Sequence, residues 1–152
     1  MAVREVKFED VPSLVGEELG VSDWHLVTQE DVNAFADVTR DHQWIHLDAE
    51  RAKTESPYGT TVAHGYLTLS LTPFLASQIM KVTGIRMGVN YGLNRVRFPA
   101  PVIVGKRVRA RTTLKNMSEV KDGIQLETTV TIEIEGGEKP VCVAETVSRV
   151  YP

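Results

Sequence analysis

The residues of this chain that can do chemistry gather in one polar run, Arg40-Asp41-His42-Gln43-Trp44-Ile45-His46, with the pair His64-Gly65 eighteen positions after His46. An acid and an imidazole, Asp41 and His46, stand five positions apart. On a helix that offset turns them about 140° from each other, so they meet only where the chain bends between them. A bent loop aiming both at one point is a seat for a water molecule or a transferable proton. Gly65 opens an apolar segment expected to be helical. Free N–H groups at a helix start, beside a residue with no side chain, suit an oxyanion. Acid, base and oxyanion donor together suit chemistry next to a carbonyl. Spacing alone leaves a plainer reading open, in which Asp41 simply ends a helix and His46 is a packed, hydrogen-bonded histidine.

A metal competes for the same side chains. His42 and His46 are four apart, and Asp41 and His64 would complete a ligand set. That needs a helical island, and the glutamate of a zinc-protease helix is missing between the histidines, so no metal is expected. Trp44 and Tyr66 are candidates to line an acyl pocket, although an aromatic beside a buried helix is more often core. Arg107, Arg109 and Arg111 alternate with apolar residues and read as a solvated sheet face, with Arg111 opposite Glu133 in a hairpin. Arg95 and Arg97 precede the Pro99-Ala100-Pro101 break, at the end of a strand.

Several elements must position these groups. The first twenty residues, punctuated by Pro12, Gly16 and Gly20, read as an arm with at most a short helix. Trp24-His25-Leu26-Val27 reads as a short strand. Thr28 and Asp31 form a weakened capping box for a helix over 29–39, with Val32, Phe35, Ala36 and Thr39 at helical spacing. Asp48 to Lys53 reads as a short exposed helix, and 54–61 as a loop around Pro57 and Gly59. Leu67, Leu69, Leu71, Phe74, Leu75, Ile79 and Met80 lie around most of a helical wheel within 62–80, which predicts a buried helix kinked or divided at Pro73. The second half alternates with period two, in Val108 to Leu114 and Ile124 to Ile134. Asp122-Gly123 and Gly136-Gly137 are turn signals. Strands over 89–98 and 141–151 complete an antiparallel sheet with one wet face and one dry face. The fold class is α+β, in one domain over 1–152.

The bulk properties exclude other classes. The 152 residues are 42% hydrophobic and 24% charged, with a net charge of −3. These values argue against disorder and give no electrostatic reason for nucleic acid or an anionic membrane as partner. The single Cys142 rules out an intrachain disulfide and reads as a small packed hydrophobe. No signal-like apolar core opens the chain, and no stretch nears the about 20 apolar residues of a membrane span. A cytoplasmic location is expected.

With these residues in view, the chain resembles the MaoC-type dehydratases, or (R)-specific enoyl-CoA hydratases, of the hotdog fold. That family carries a Gly-Asp-x-Asn-Pro-x-His loop after a helix, a His-Gly at the start of the buried helix, and a later Arg-Phe-x-x-Pro-Val. Here these read Arg40-Asp41-His42-Gln43-Trp44-Ile45-His46, Ala63-His64-Gly65-Tyr66 and Arg97-Phe98-Pro99-Ala100-Pro101-Val102, in the same order from Thr28 onward. The loop departs from the family at Arg40, Gln43 and Trp44, and looks more like the branch related to nodulation protein N.

The resemblance implies an antiparallel sheet wrapped around a long central helix, paired into a homodimer. It implies reversible hydration of a trans-2-enoyl thioester to the (R)-3-hydroxyacyl thioester. Asp41 and His46 would hold the water, the Gly65 N–H would meet the thioester oxygen, and Gln43 and Trp44 would contact substrate. No cofactor is implied beyond the coenzyme A or carrier pantetheine of the substrate itself. Two alternatives remain: a thioesterase on the same scaffold, and a non-catalytic module that binds acyl thioesters.

Overall fold

The structure is a computed structural model and describes residues 2–152. Its N-terminal part is more ordered than an arm. Strand β1 (Arg4–Lys7) is followed by a 3-10 helix (Phe8–Leu14) and strand β2 (Glu18–Val21). Neither strand has a readable period, because each is fixed by a distant partner: β2 pairs antiparallel with β6 (Arg107–Val120) and β1 pairs parallel with β4 (Met80–Thr83). Val6, Val11 and Leu14 of this segment pack with Leu114, Ile124, Leu126 and Val150 in a small second core. Strand β3 is only His25–Leu26.

Helix α1 (Gln29–Thr39) starts where the capping box places it. The Thr28 hydroxyl accepts from the Asp31 N–H at 3.1 Å, and the Asp31 carboxylate accepts from the Thr28 N–H at 3.2 Å. It buries Val32 and Ala36, as the apolar spacing requires. It ends at Arg40, which takes a left-handed conformation (φ 66°, ψ 19°) and so turns the chain out of the helix. Two short helices follow, α2 (Trp44–Leu47) and α3 (Ala49–Glu55), the latter capped by the Asp48 carboxylate on the Arg51 N–H at 3.0 Å.

The central apolar segment forms two helices, α4 (Gly65–Ser70) and α5 (Thr72–Ser77), and its last residues enter β4. Pro73 sits in the first turn of α5, where a missing N–H has no intrahelical partner to lose. Leu71 joins the two, its carbonyl accepting from the Leu75 N–H at 3.0 Å. The segment is not buried all round as expected. Leu67, Thr68, Thr72 and Leu75 face the sheet, while Tyr66 and Phe74 remain largely exposed. Sheet covers only one side of these helices in a single chain.

The main sheet runs in the order β2, β6, β7 (Gly123–Ile134), β8 (Cys142–Tyr151), β5 (Met87–Arg97), with β3 also on β6. The β6–β7 turn places Asp122 at φ 64°, a conformation aspartate tolerates. Alternation along β6 and β7 turns Val108, Ala110, Val130 and Ile132 inward, where with Cys142 and Ala144 they pack on Leu67 and Leu75. The opposite face is ionic. Glu133 is register partner to Arg109 rather than Arg111: the turn closes at Val120 and Gly123, one residue off a hairpin centred on Asp122, and a bulge between Leu114 and Asn116 adds a second residue of shift. It accepts from the Nε of both arginines at 2.9 Å, Arg111 reaching it diagonally, and Arg107 pairs with Glu135. The arginine row is therefore a sheet face neutralised by glutamates. Arg97 is the last residue of β5, at a strand end as expected.

Candidate active site

Two chain segments build the site. The first runs from the end of α1 through α2. Arg40 reverses the chain, Asp41 follows in the loop, and one turn of helix carries His46 back toward the core. Several bonds dock that turn on the second segment. The Val62 N–H donates to the Ile45 carbonyl at 3.1 Å, and the His46 Nδ1–H donates to the Val62 carbonyl at 2.6 Å. Gln29 of α1 adds a brace: its amide donates to the His46 carbonyl at 2.8 Å and its oxygen accepts from the buried Thr61 hydroxyl at 2.6 Å. Sequence reading passed over Gln29, Thr61 and Val62, since nothing about their types or spacing marks them.

The second segment is the entry to α4. His64 is its N-cap and Gly65 its first residue; the first helical bond is Thr68 N–H to His64 C=O at 3.2 Å. The N–H groups of Gly65, Tyr66 and Leu67 therefore lie outside the helix's own bonding. A Cβ on Gly65 would sit 3.1 Å from the Phe98 ring, so the residue is small where an aromatic closes on it.

Polar groups from the two segments converge. One ligand-type atom each of Asp41, His46 and His64 lies within 4.8 Å of the others, with both histidines buried and Asp41 half exposed. The two imidazoles stack with centroids 3.8 Å apart and planes at 23°. His64 Nε2–H donates to the Asp41 carbonyl at 3.0 Å and lies 4.0 Å from its carboxylate. Of the metal candidates, His42 is not in this group; it pairs with Asp37 at 3.0 Å on the surface. Two of the imidazole nitrogens are already engaged, His46 Nδ1 with the Val62 carbonyl and His64 Nε2 with the Asp41 carbonyl. The trio fits a hydrogen-bonded proton-transfer set better than a tetrahedral metal cage.

The electrostatics suit a base. A carbonyl only accepts, so Nδ1 of His46 carries the hydrogen and Nε2 keeps its lone pair. Burial holds the His46 imidazole below its ordinary value of 6.5, and His64 pushes the same way; the Val62 bond and Asp41 oppose them. His46 is thus an unprotonated acceptor at neutral pH. Gln43 meets Asp41 through its backbone, its N–H lying 3.4 Å from Oδ1. Trp44 lies on α2 with one face under the Arg51 guanidinium at 4.2 Å.

With that geometry in place, a profile of the MaoC like domain matches residues 10–135. The chain belongs to the MaoC-like dehydratase family. It is 52% identical over 141 residues to the 3-hydroxyacyl-thioester dehydratase Z of Mycobacterium tuberculosis, covering 92% of this chain and 93% of that protein. It is 46% identical over 149 residues to Nodulation protein N of Rhizobium leguminosarum bv. viciae, covering 96% and 92%. Among solved structures, the (R)-hydratase from A. caviae involved in PHA biosynthesis matches with a TM-score of 0.72 at 28% identity, over 91% of this chain and 96% of that one. The sheet and its central helices are therefore a hotdog fold. The branch inferred from Arg40, Gln43 and Trp44 is also the one found. This MaoC-like dehydratase carries Arg40, in a left-handed conformation, where the resembled loop motif has glycine.

Proposed function

We propose that this MaoC-like dehydratase catalyses reversible (R)-specific hydration of a trans-2-enoyl thioester to the (R)-3-hydroxyacyl thioester. The observation that carries the proposal is the meeting of Asp41, His46 and His64 within 4.8 Å beside the start of α4. Similarity to a 3-hydroxyacyl-thioester dehydratase and to an (R)-hydratase supports the substrate class and the (R) hand.

In the hydration direction, a water sits between the Asp41 carboxylate and Nε2 of His46. His46 takes one proton from it as the oxygen bonds to C3, and the double-bond electrons move toward C2 and the thioester oxygen. The Gly65 N–H meets the negative charge that develops on that oxygen; donors of this kind are worth about 3–4 kcal/mol elsewhere. The His46 imidazolium then returns its proton to C2, and the site is restored. Asp41 orients the water and offsets the imidazolium charge. Gln43 holds the loop at Asp41, and Trp44 flanks the acyl group. No cofactor enters this scheme, and coenzyme A or a carrier pantetheine is the handle on the substrate.

We further propose that the working form is a homodimer in the cytoplasm. Strand β5 ends the sheet and exposes Met87, Val89, Tyr91 and Leu93, apolar area that a second copy would cover. No helix among the described residues is long and apolar enough to cross a membrane. The deciding experiment is crotonyl-CoA hydration, followed by loss of enone absorbance. Asp41→Asn and His46→Gln should each lower turnover by about 10²-fold or more with the fold intact. Near wild-type rates in both variants would defeat the mechanism.

A further inference from the structure

We infer that His64 is a positioning residue for the Asp41–His46 pair, acting through the hydrogen bond from its Nε2 to the Asp41 carbonyl and the ring face it gives His46. The inference rests on the catalytic reading above. His64 is only 2% exposed, yet its Nδ1 is buried with no hydrogen-bond partner among the described residues. An unpaired buried polar atom costs stability that a phenylalanine or leucine at the same place would not, so packing alone does not account for an imidazole here. The other nitrogen does. At 3.0 Å from the Asp41 carbonyl, it makes the shortest tether on a residue whose remaining loop contacts are long. The Asp41 N–H lies 3.5 Å from the Thr39 hydroxyl, and Asp41 Oδ1 lies 3.4 Å from the Gln43 N–H.

That bond also joins the two halves of the site. Asp41 belongs to the loop after α1 and His64 to the entry of α4, so the tether fixes the carboxylate relative to the Gly65 N–H that follows His64 in the chain. The ring does the same for His46. It lies against that imidazole at 3.8 Å, with Phe35 of α1 at 5.0 Å. His46 is thereby gripped at Nδ1 by Val62 and on its face by His64, which leaves Nε2 as the group free to act. Because the bonded carbonyl only accepts, His64 carries its hydrogen on Nε2 and a bare lone pair on Nδ1.

Two variants separate the donor from the ring. His64→Phe keeps an aromatic plane, removes the tether and removes the orphaned nitrogen. Its melting temperature should match or exceed wild type while kcat falls about 10²-fold, the scale of a 1 Å misplacement, with KM changed by less than about threefold. His64→Gln restores an amide donor and should recover at least about tenfold of that kcat. A His64→Phe enzyme with kcat within threefold of wild type, or a His64→Gln enzyme no faster than His64→Phe, overturns the inference. The tautomer is read on the wild-type protein, whatever the variants do. Imidazole 15N spectra should show His64 Nε2 pyrrole-like and Nδ1 pyridine-like, and the reverse assignment also overturns it. Asp41→Asn is assayed alongside: wild-type turnover there removes the catalytic reading itself, whereas a dead Asp41→Asn beside an active His64→Phe removes only the role of His64.

Discussion

Replacing Gly65 by alanine separates the glycine's packing role from its place beside the substrate. The added Cβ would lie 3.1, 3.2 and 3.3 Å from Cδ2, Cε2 and Cγ of Phe98, inside the about 3.5–4.0 Å of ordinary carbon contact. The ring must therefore retreat by a few tenths of an ångström. It has room, being 42% exposed, which puts the cost near the low end of the roughly 1–3 kcal/mol of overpacking. Alanine also favours a helix over glycine by up to about 1 kcal/mol, so the two nearly cancel. For a chain of this length the net change should move the melting temperature by no more than about 4 °C. Activity should behave differently. Alanine keeps the backbone N–H, but on the proposed mechanism its methyl crowds the approach of the thioester oxygen to that N–H; a donor put out of the substrate's reach loses up to the about 10²–10³ in kcat that deleting one costs elsewhere. We expect kcat for crotonyl-CoA hydration to drop about 10²-fold at nearly unchanged stability. Adding Phe98→Leu should relieve the ring contact without restoring turnover. A melting temperature lowered by well over 8 °C would show that Phe98 cannot yield. Wild-type turnover in Gly65→Ala would show that the substrate does not approach this backbone.

Three other outcomes follow from the same geometry. Because His46 is held below 6.5 in the fold, the unfolded chain binds more protons in the window just under that value. The His46 contribution to stability is complete above pH 6.5 and is lost as pH falls from 6.5 toward the lower folded value. Urea titrations of wild type and His46→Gln should diverge across that window, and parallel pH profiles would contradict it. Arg40 holds φ at 66°, a region that strains a side chain but not glycine. Arg40→Gly should gain about 0.5–1 kcal/mol with turnover within twofold, and a loss of stability would mean that the arginine side chain has a hidden partner. Burial pushes the Cys142 thiol to about 11, so the native protein should resist Ellman's reagent at pH 8 and react only on unfolding. Rapid labelling of the folded chain would contradict the packing of β8.

What was legible in the sequence depended on how local its cause was. Helix α1 was readable to the residue because Thr28 and Asp31 cap it and Val32 and Ala36 set its buried face. Strands β6, β7 and β8 were readable because alternation is a property of each strand alone. Strands β1 and β2 were missed, since their order comes from pairing with β4 and β6, far along the chain, while the 3-10 helix over Phe8–Leu14 is the short helix that the arm allowed. The Arg111–Glu133 pairing was half right: the bond exists, but the turn and a bulge together set the register and put Arg109 opposite. The buried central helix was overstated, because an apolar wheel does not say which of its faces a single chain covers. In the site, residue types pointed to Asp41, His46 and Gly65. The stacking of His64 on His46 and the Gln29 brace join segments tens of residues apart and leave no periodic trace.

The position of Arg40 shows how the loop brings Asp41 beside His64 although three of its residues differ from the resembled motif. To bring Asp41 beside His64, the chain must leave α1 by reversing within one residue, and only a positive φ does this in so short a space. The demand falls on the backbone and is met by arginine at some cost in strain. Downstream, Gln43 and Trp44 stand where the resembled motif has asparagine and proline, yet α2 is fixed through Ile45, His46, Val62, Thr61 and Gln29 rather than by the side chains of Gln43 and Trp44. Substitutions within the loop therefore leave the carboxylate and imidazole where they are, provided the braces on α1 and before α4 persist. It follows that a change at Gln29 or Thr61, neither of which has a reactive group in the site, disturbs the geometry of His46 more than a change at Trp44 does.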